Sequence, residues 1–212
     1  YLLFIGVAFL FVAGLDLLHT LAYKGMGVFP GFGANLPPQL WIASRYVQSL
    51  SLLIAPLFLR RRLKAHLVFL SYAVIVSLLL ASIFYWRIFP DCYIEGVGLT
   101  PFKKISEYII SLIFLSAIPL MLRKRQEFDK GALRFLMASI IVSVGSEFAF
   151  TLYTNAYGLS NAVGHLLKVI SFVLIYRAII RTGLENPYST LFRDMKQSEE
   201  RYRILIENAN EA

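Results

Sequence analysis

Six long apolar stretches constrain the fold of this chain more than any other feature of its sequence. A helix needs about 20 mostly apolar residues to cross the hydrocarbon core of a bilayer. Stretches of about that length occupy residues 2–23, 40–59, 66–86, 105–122, 132–153 and 161–181, with Gly, Pro or basic turns between them. Only helices and closed barrels span lipid. The sequence therefore predicts an all-α fold, a polytopic helical membrane bundle with six visible transmembrane helices.

The composition agrees with a membrane protein and excludes an ordinary water-soluble domain. Hydrophobic residues make up 58% of the 212 residues and only 16% are charged, whereas soluble domains average about 25% charged residues. The net charge is +8, but the basic residues sit in short turns between apolar runs. We therefore expect the lipid bilayer as a partner and no nucleic acid.

The basic turns predict the orientation, because cytoplasmic loops carry an excess of Lys and Arg. Basic residues concentrate at 60–64 and 123–134, and Arg177 and Arg181 follow at the end of the sixth stretch. The opposite loops hold Lys24, Arg87, Lys103 and Lys104. We expect the basic turns and the C-terminal tail to be cytoplasmic. Of the opposite set, Lys24, Lys103 and Lys104 are expected to be solvated or to contact lipid headgroups.

Seven ionisable residues lie inside the apolar stretches, all in the outer halves of the predicted helices. They recur with other polar or aromatic residues at intervals of three or four, which places them on one face of each helix. Lipid cannot satisfy such faces, so they are expected to turn inward around a shared polar site. Glu107 lies at the same depth as this site. The residues predicted to bind a ligand there are Asp16, His19, Tyr23, Trp41, Arg45, Glu147, Asn161, His165 and Lys168.

Several interpretations of this site remain open from the sequence. The acids, bases and histidines could neutralise one another as buried ion pairs that fix helix packing. Arg45 and Lys168 could hold a small polar or anionic ligand, or the histidines and carboxylates could sense protonation. His19 and His165 could also be axial ligands of a haem or part of a metal site. No familiar catalytic motif occurs, so we expect no enzyme activity in this fragment.

The tail predicts a helix that leaves the membrane. From Leu191, the residues at 195, 198, 202 and 205 follow at alternating spacings of four and three, typical of a coiled-coil seam. An amphipathic helix lying on a following domain is the alternative. We assign residues 1–182 to a transmembrane domain, 183–197 to a linker or signalling helix, and 198–212 to the start of a cytoplasmic domain.

Two motifs carry a resemblance to a known family. The run 15–26 with 39–46, and the later stretch 147–153 with 161–172, resemble the third of the named series of bacterial and archaeal membrane-associated sensor domains. Members of that family usually carry one more hydrophobic segment before this point. A further helix is therefore expected before residue 1. The tail from Ser198 to Ala209 is similar to the beginning of PAS domains.

The resemblance implies a membrane-embedded sensory input domain of a signal-transduction protein in a prokaryotic inner membrane. The parent protein is expected to be a sensor histidine kinase with a PAS domain, in a two-component system. A diguanylate cyclase, or a haem- or metal-binding membrane redox sensor, is the alternative. The implied partners are a small-molecule or ion stimulus, the PAS and kinase modules of the same chain, and a second copy in a homodimer.

Overall fold

The computed structural model describes residues 1–59, 63–151 and 158–180, with residues 195, 198–201 and 203 of the tail. Six helices in this part are long and apolar enough to cross a membrane. They are α1 (Leu2–Leu21), α2 (Leu36–Ile54), α3 (Ala65–Phe84), α4 (Pro101–Arg123), α5 (Lys130–Thr151) and α6 (Leu159–Ile180). A 3-10 turn, Ala55–Phe58, extends α2. The prediction of an all-α membrane bundle with six visible spans is confirmed.

Two helices begin four residues earlier than the apolar pattern predicted. Helix α2 begins at Leu36, because prolines fit the first turn, where a backbone N–H has no partner in the helix. Helix α4 begins at Pro101, and the Thr100 hydroxyl accepts a hydrogen bond from the Lys103 backbone N–H at 3.3 Å. Hydropathy alone misses such first turns, because capping residues and prolines are not apolar.

A short β-hairpin, which the sequence predicted only as a loop, joins α3 to α4. Its strands, Tyr93–Ile94 and Gly98–Leu99, pair antiparallel. Gly96 in the turn has a φ of 82°, a left-handed conformation that glycine adopts without steric cost. The Asn35 side-chain oxygen accepts hydrogen bonds from the backbone N–H groups of Cys92 and Tyr93 at 2.8 and 2.9 Å. The hairpin is therefore fixed to the start of α2, and we call this end of the bundle the hairpin end.

The opposite end of the bundle carries the predicted basic turns, and we call it the basic end. Here the Lys124 ammonium group donates to the Pro56 carbonyl at 3.0 Å. The rings of Tyr1 and Phe128 meet edge to face at 5.2 Å. Asp129 caps α5 by accepting hydrogen bonds from two backbone N–H groups of its first turn.

Helix α2 is the most buried span of the bundle, and α6 packs at its edge against α5. Helix α2 packs against α1, α3 and α4, while α5 packs between α4 and α6. Within the described residues the backbone of α6 packs closely only along α5. Side chains of α6 also contact α1 and α2.

The tail is described only in part. Met195, residues 198–201 and Arg203 are helical. The remainder of the predicted linker at 183–197, and most of the predicted seam from Leu191 to Leu205, lies outside the described residues.

Candidate functional site

A buried ion pair joins α1 to α2. The Arg45 side chain is 0% exposed, and its guanidinium pairs with the Asp16 carboxylate on α1. The Ser44 hydroxyl donates to the same carboxylate oxygen at 2.7 Å and accepts from Arg45 at 2.7 Å. Charge-assisted hydrogen bonds of this kind are roughly twice as strong as neutral ones. The predicted polar faces of α1 and α2 therefore meet in the bundle interior.

Gln48 extends this connection to α6. Its side-chain oxygen accepts hydrogen bonds from Arg45 on α2 and from the Lys168 ammonium on α6. Lys168 is buried and makes no ion pair with a carboxylate of any described residue. Gln48 lies on the polar face that the sequence indicated for α2, but it was not among the predicted ligand residues. A neutral amide carries no charge signal, although its spacing of three from Arg45 could have identified it.

Aromatic rings form one wall of this polar cluster. Trp41 is 4% exposed, and its ring centroid lies 4.6 Å from the Arg45 guanidinium carbon and 5.5 Å from the Lys168 nitrogen. The Lys168 nitrogen also lies 4.3 Å from the ring centroid of Phe172. Cation–π contacts of this kind favour a positive charge away from water. Phe172 was missed as a site residue, because a single Phe on an apolar helix looks the same as a core residue.

Both predicted histidines adjoin the aromatic wall. His19 Nδ1 lies 2.7 Å from the Pro37 carbonyl oxygen, so Nδ1 carries the proton that the carbonyl accepts. The His19 and His165 ring centroids are 6.1 Å apart. The Tyr23 hydroxyl lies 3.5 Å from His165 Nε2, at the limit of a hydrogen bond. The part of the chain that the structure describes holds no group of three or more His, Cys, Asp or Glu that could hold a metal ion.

A second buried ion pair lies on α4. Lys103 is 3% exposed and pairs with Glu107 one turn later, and the Thr151 hydroxyl donates to the same carboxylate at 3.2 Å. The prediction that Lys103 is solvated is therefore wrong. A carboxylate at i+4 neutralises the lysine and lets it stay buried. Lys104 is exposed, as predicted; the Lys24 side chain lies outside what the structure describes.

Glu147 on α5 is buried, and it forms no ion pair with any described residue. It is 1% exposed, and it lies close enough to Arg45 and Glu107 for their charges to act on it. Its Oε2 atom accepts no hydrogen bond from any described residue. Buried charges are normally paired, so Glu147 and Lys168 are the two members of the cluster that ion pairing leaves unexplained.

Several residues of this cluster carry buried polar atoms without a hydrogen-bond partner among the described residues. Leaving a buried donor or acceptor unsatisfied costs about 1–3 kcal/mol, so native proteins do so rarely. Within the described residues, the atoms concerned include His19 Nε2, Trp41 Nε1, Arg45 Nε, Gln48 Nε2 and Glu147 Oε2. They come from α1, α2 and α5, and the Lys168 ammonium from α6 contacts two of these residues, Gln48 and Trp41. The cluster can therefore offer several hydrogen bonds to a small polar molecule.

The structure brings most of the predicted site residues together. Hydrogen bonds, the ion pair and ring contacts connect Asp16, His19, Tyr23, Trp41, Arg45, His165 and Lys168. Glu147 borders this set from α5. Asn161 is half-buried in the first turn of α6, one turn closer to the hairpin end than His165.

Six apolar spans with ionisable side chains buried among them define a multi-pass membrane protein with a candidate internal site. The comparison with protein families agrees, because the family of membrane-associated sensor domains designated MASE3 matches residues 1–187. The chain belongs to this family, as its motifs predicted, and is a multi-pass membrane sensor domain. No curated protein and no solved structure matches it.

Proposed function

We propose that the buried polar cluster is the stimulus site of this sensor domain. In this proposal the cluster binds a small polar ligand or ion, and binding changes the position of α6. Five buried polar atoms without a hydrogen-bond partner among the described residues, on α1, α2 and α5, carry the proposal. Packing by ion pairs accounts for Asp16 with Arg45 and for Glu107 with Lys103. It leaves the charges of Lys168 and Glu147 without a counterion among the described residues.

The unsatisfied atoms favour a ligand rich in hydrogen-bond acceptors. Trp41 Nε1, Arg45 Nε and Gln48 Nε2 are all donors. Two cations, Arg45 and Lys168, lie beside them, and Asp16 compensates only the first. A small carboxylate or another small anion matches this set. Glu147 Oε2 and His19 Nε2 are the acceptors for any hydrogen that such a ligand carries.

The packing of α6 supports a relay through this helix. Helices α5 and α6 are held together by small residues, with the Ser143 and Ser171 hydroxyls 2.6 Å apart and Ser146 donating to the Gly164 carbonyl at 2.8 Å. Connections from α6 to α1 and α2 run through the polar and aromatic side chains of the cluster, above all Lys168 and His165. A ligand that competes for Gln48 or Lys168 would therefore act directly on α6.

The proposed relay extends beyond the membrane. In this proposal α6 continues through the linker at 183–197 into a cytoplasmic PAS domain and a histidine kinase, or alternatively into a diguanylate cyclase. The parent protein is a homodimer in a prokaryotic inner membrane. The basic turns and the PAS-like residues from Ser198 support this orientation and this output.

Signalling by the full-length parent protein in native membranes tests the proposal. We expect His19→Ala, His165→Ala and Lys168→Met to change basal output at least severalfold, or to abolish the response, at normal membrane levels. Lys104→Met is the matched control, since Lys104 is exposed on α4, and it should behave as wild type. Wild-type output from all three cluster variants would overturn the proposal.

A cofactor remains a second candidate for the same site. His19 Nε2 has no partner among the described residues, and the His165 ring lies 6.1 Å away. The haem or metal alternative predicts a Soret band, or stoichiometric metal, that is lost in His19→Ala. An absorption spectrum and a metal analysis of the purified full-length protein, both negative, would reject it.

A further inference from the structure

A cleft of about 210 Å³ opens at the hairpin end, apart from the polar cluster. The loop before α2, the first turn of α2, the end of α3 and the segment before the hairpin surround it. Two of its lining side chains, Leu36 and Ile83, are almost fully buried and make an apolar floor. A cleft of this size admits a molecule much smaller than the usual drug-sized ligand.

Opposite charges line this cleft without neutralising each other. Arg87 and Asp91 are both exposed, and neither forms an ion pair with the other or with any further residue in the described ranges. Each is oriented by a different neighbour. The Arg87 guanidinium carbon lies 5.1 Å from the Phe32 ring centroid, and an Asp91 carboxylate oxygen accepts from the Asn35 amide at 2.7 Å.

The backbone at Arg87 is in an unusual conformation. Its φ is 54°, and it is the non-glycine residue with positive φ among those described. The left-handed conformation is sterically unfavourable for an L-residue, and glycine usually occupies it just after a helix. Such residues cluster at ligand sites. Here the conformation holds a guanidinium at the edge of the cleft, where glycine would be the less strained choice.

The cleft is also held rigidly against α2. The Gln39 amide donates to the carbonyls of Phe89 and Pro90 at 3.0 and 3.1 Å. These bonds fix the segment between Arg87 and Asp91 to the first turns of α2. Both charged residues therefore adjoin a backbone segment that is fixed to α2, which reduces the entropy that a ligand must overcome.

We propose that this cleft is a second ligand site and takes a small zwitterionic amino acid with an apolar side chain. The ligand carboxylate pairs with Arg87, the ligand ammonium pairs with Asp91, and the ligand side chain rests on Leu36 and Ile83. Its occupancy joins the end of α3 and the hairpin to α2, the helix that carries Arg45. This site is independent of the one proposed for the polar cluster.

Binding to the purified full-length protein in lipid nanodiscs tests the proposal. L-leucine, L-methionine and L-phenylalanine are titrated by calorimetry. For the tightest of them, the corresponding amine without the carboxylate and the corresponding acid without the ammonium are the matched probes. We expect the amino acid to bind at least tenfold more tightly than either probe. Absence of binding by all three amino acids, or equal binding of a matched probe, would overturn the proposal.

Variants locate the binding. Arg87→Gly removes the guanidinium and relieves the positive φ, so its unfolding temperature should equal or exceed that of wild type while its affinity falls at least tenfold. Asp91→Asn keeps the size of the side chain and should show a similar loss. Lys104→Ala, an exposed charge elsewhere, and Lys168→Met, in the polar cluster, should bind within about threefold of wild type. Wild-type affinity in Arg87→Gly would contradict the assignment. Loss of affinity in Lys168→Met with wild-type affinity in Arg87→Gly would place the amino acid in the polar cluster instead.

Discussion

Two neighbouring spans, α2 and α3, occupy opposite places in the bundle. Helix α3 has a mean hydropathy of 2.6 over its most apolar window and carries no Asp, Glu, Lys or Arg; only 22% of that window is buried. Helix α2 has a mean hydropathy of 1.2 over its corresponding window and 72% of it is buried. The less apolar helix is thus the interior one.

The difference shows what positions a helix in lipid. Apolar side chains gain little by leaving lipid tails for a protein interior, so hydrophobicity does not drive α3 inward. Buried polar groups must meet one another, and those of α2 reach α1 through Asp16 and α6 through Lys168. Of these two spans, the one with more polar residues is therefore the one that packs inside the bundle.

The largest effect is expected at the ion pair of α2. Arg45→Ala leaves Asp16 and its hydrogen bonds without a cation, and breaking one partner of a buried pair costs about 3–5 kcal/mol. The free energy of unfolding, measured in mixed micelles with increasing SDS, should fall by about that amount. Leu78→Ala on α3, at a site 54% exposed, is the control and should change it by less than about 1 kcal/mol. Equal losses of unfolding free energy in Arg45→Ala and Leu78→Ala would show that α2 is no more important to stability than α3.

A second effect is expected where α5 and α6 approach closely. A methyl group at Gly164 would come within 2.7 Å of the Phe150 ring, whereas one at Gly14 of α1 would meet nothing within 4 Å. Gly164→Ala should therefore lower the unfolding free energy by about 1–3 kcal/mol, the usual cost of overpacking. In the same assay Gly14→Ala should be neutral. A neutral Gly164→Ala would mean that the helices separate without cost.

A smaller effect is expected at the polar contact between α3 and α2. The Tyr72 hydroxyl on α3 lies 2.6 Å from the Ser51 hydroxyl on α2. Tyr72→Phe should cost about 0.6 kcal/mol, the average for a hydrogen bond between membrane helices. Ser71→Ala is the control, because the Ser71 hydroxyl is exposed and bonds to its own helix. A loss above about 2 kcal/mol would show that α3 depends on polar contacts as strongly as α2 does.

The last prediction concerns the rate at which the buried Cys92 thiol is alkylated, with little expected effect on stability. Burial raises the pKa of the Cys92 thiol to about 12, so at pH 8 its thiolate fraction is about 10³-fold below that of a free cysteine. Alkylation by N-ethylmaleimide should accordingly be slow at pH 8 and should accelerate as the pH rises. Asn35→Ala releases the hairpin from α2 and should speed alkylation at pH 8; an unchanged rate would show that Asn35 does not fix the hairpin.

Hydropathy and spacing predicted much of this molecule and missed identifiable parts. Six apolar stretches gave six helices, since span length depends on the bilayer alone. Intervals of three and four residues also identified the faces that meet at Arg45. The hairpin was missed because its strands are two residues long. Lys103 was assigned to solvent, although Glu107, four residues later in the sequence, could have identified it as a paired lysine.

The proposed relay requires that the polar cluster holds α6 against α1 and α2. Double electron–electron resonance measures the distance between α1 and α6 directly. Spin labels are placed at Leu10 on α1 and Val169 on α6, which are both exposed, and Cys92→Ser removes the native cysteine of the described residues. We expect Lys168→Met to shift or broaden the distance distribution by about 1–2 Å or more, the scale of signalling movements between helices. Lys104→Met should leave the distribution unchanged. Superimposable distance distributions for wild type and Lys168→Met would show that the polar cluster does not hold α6 against α1.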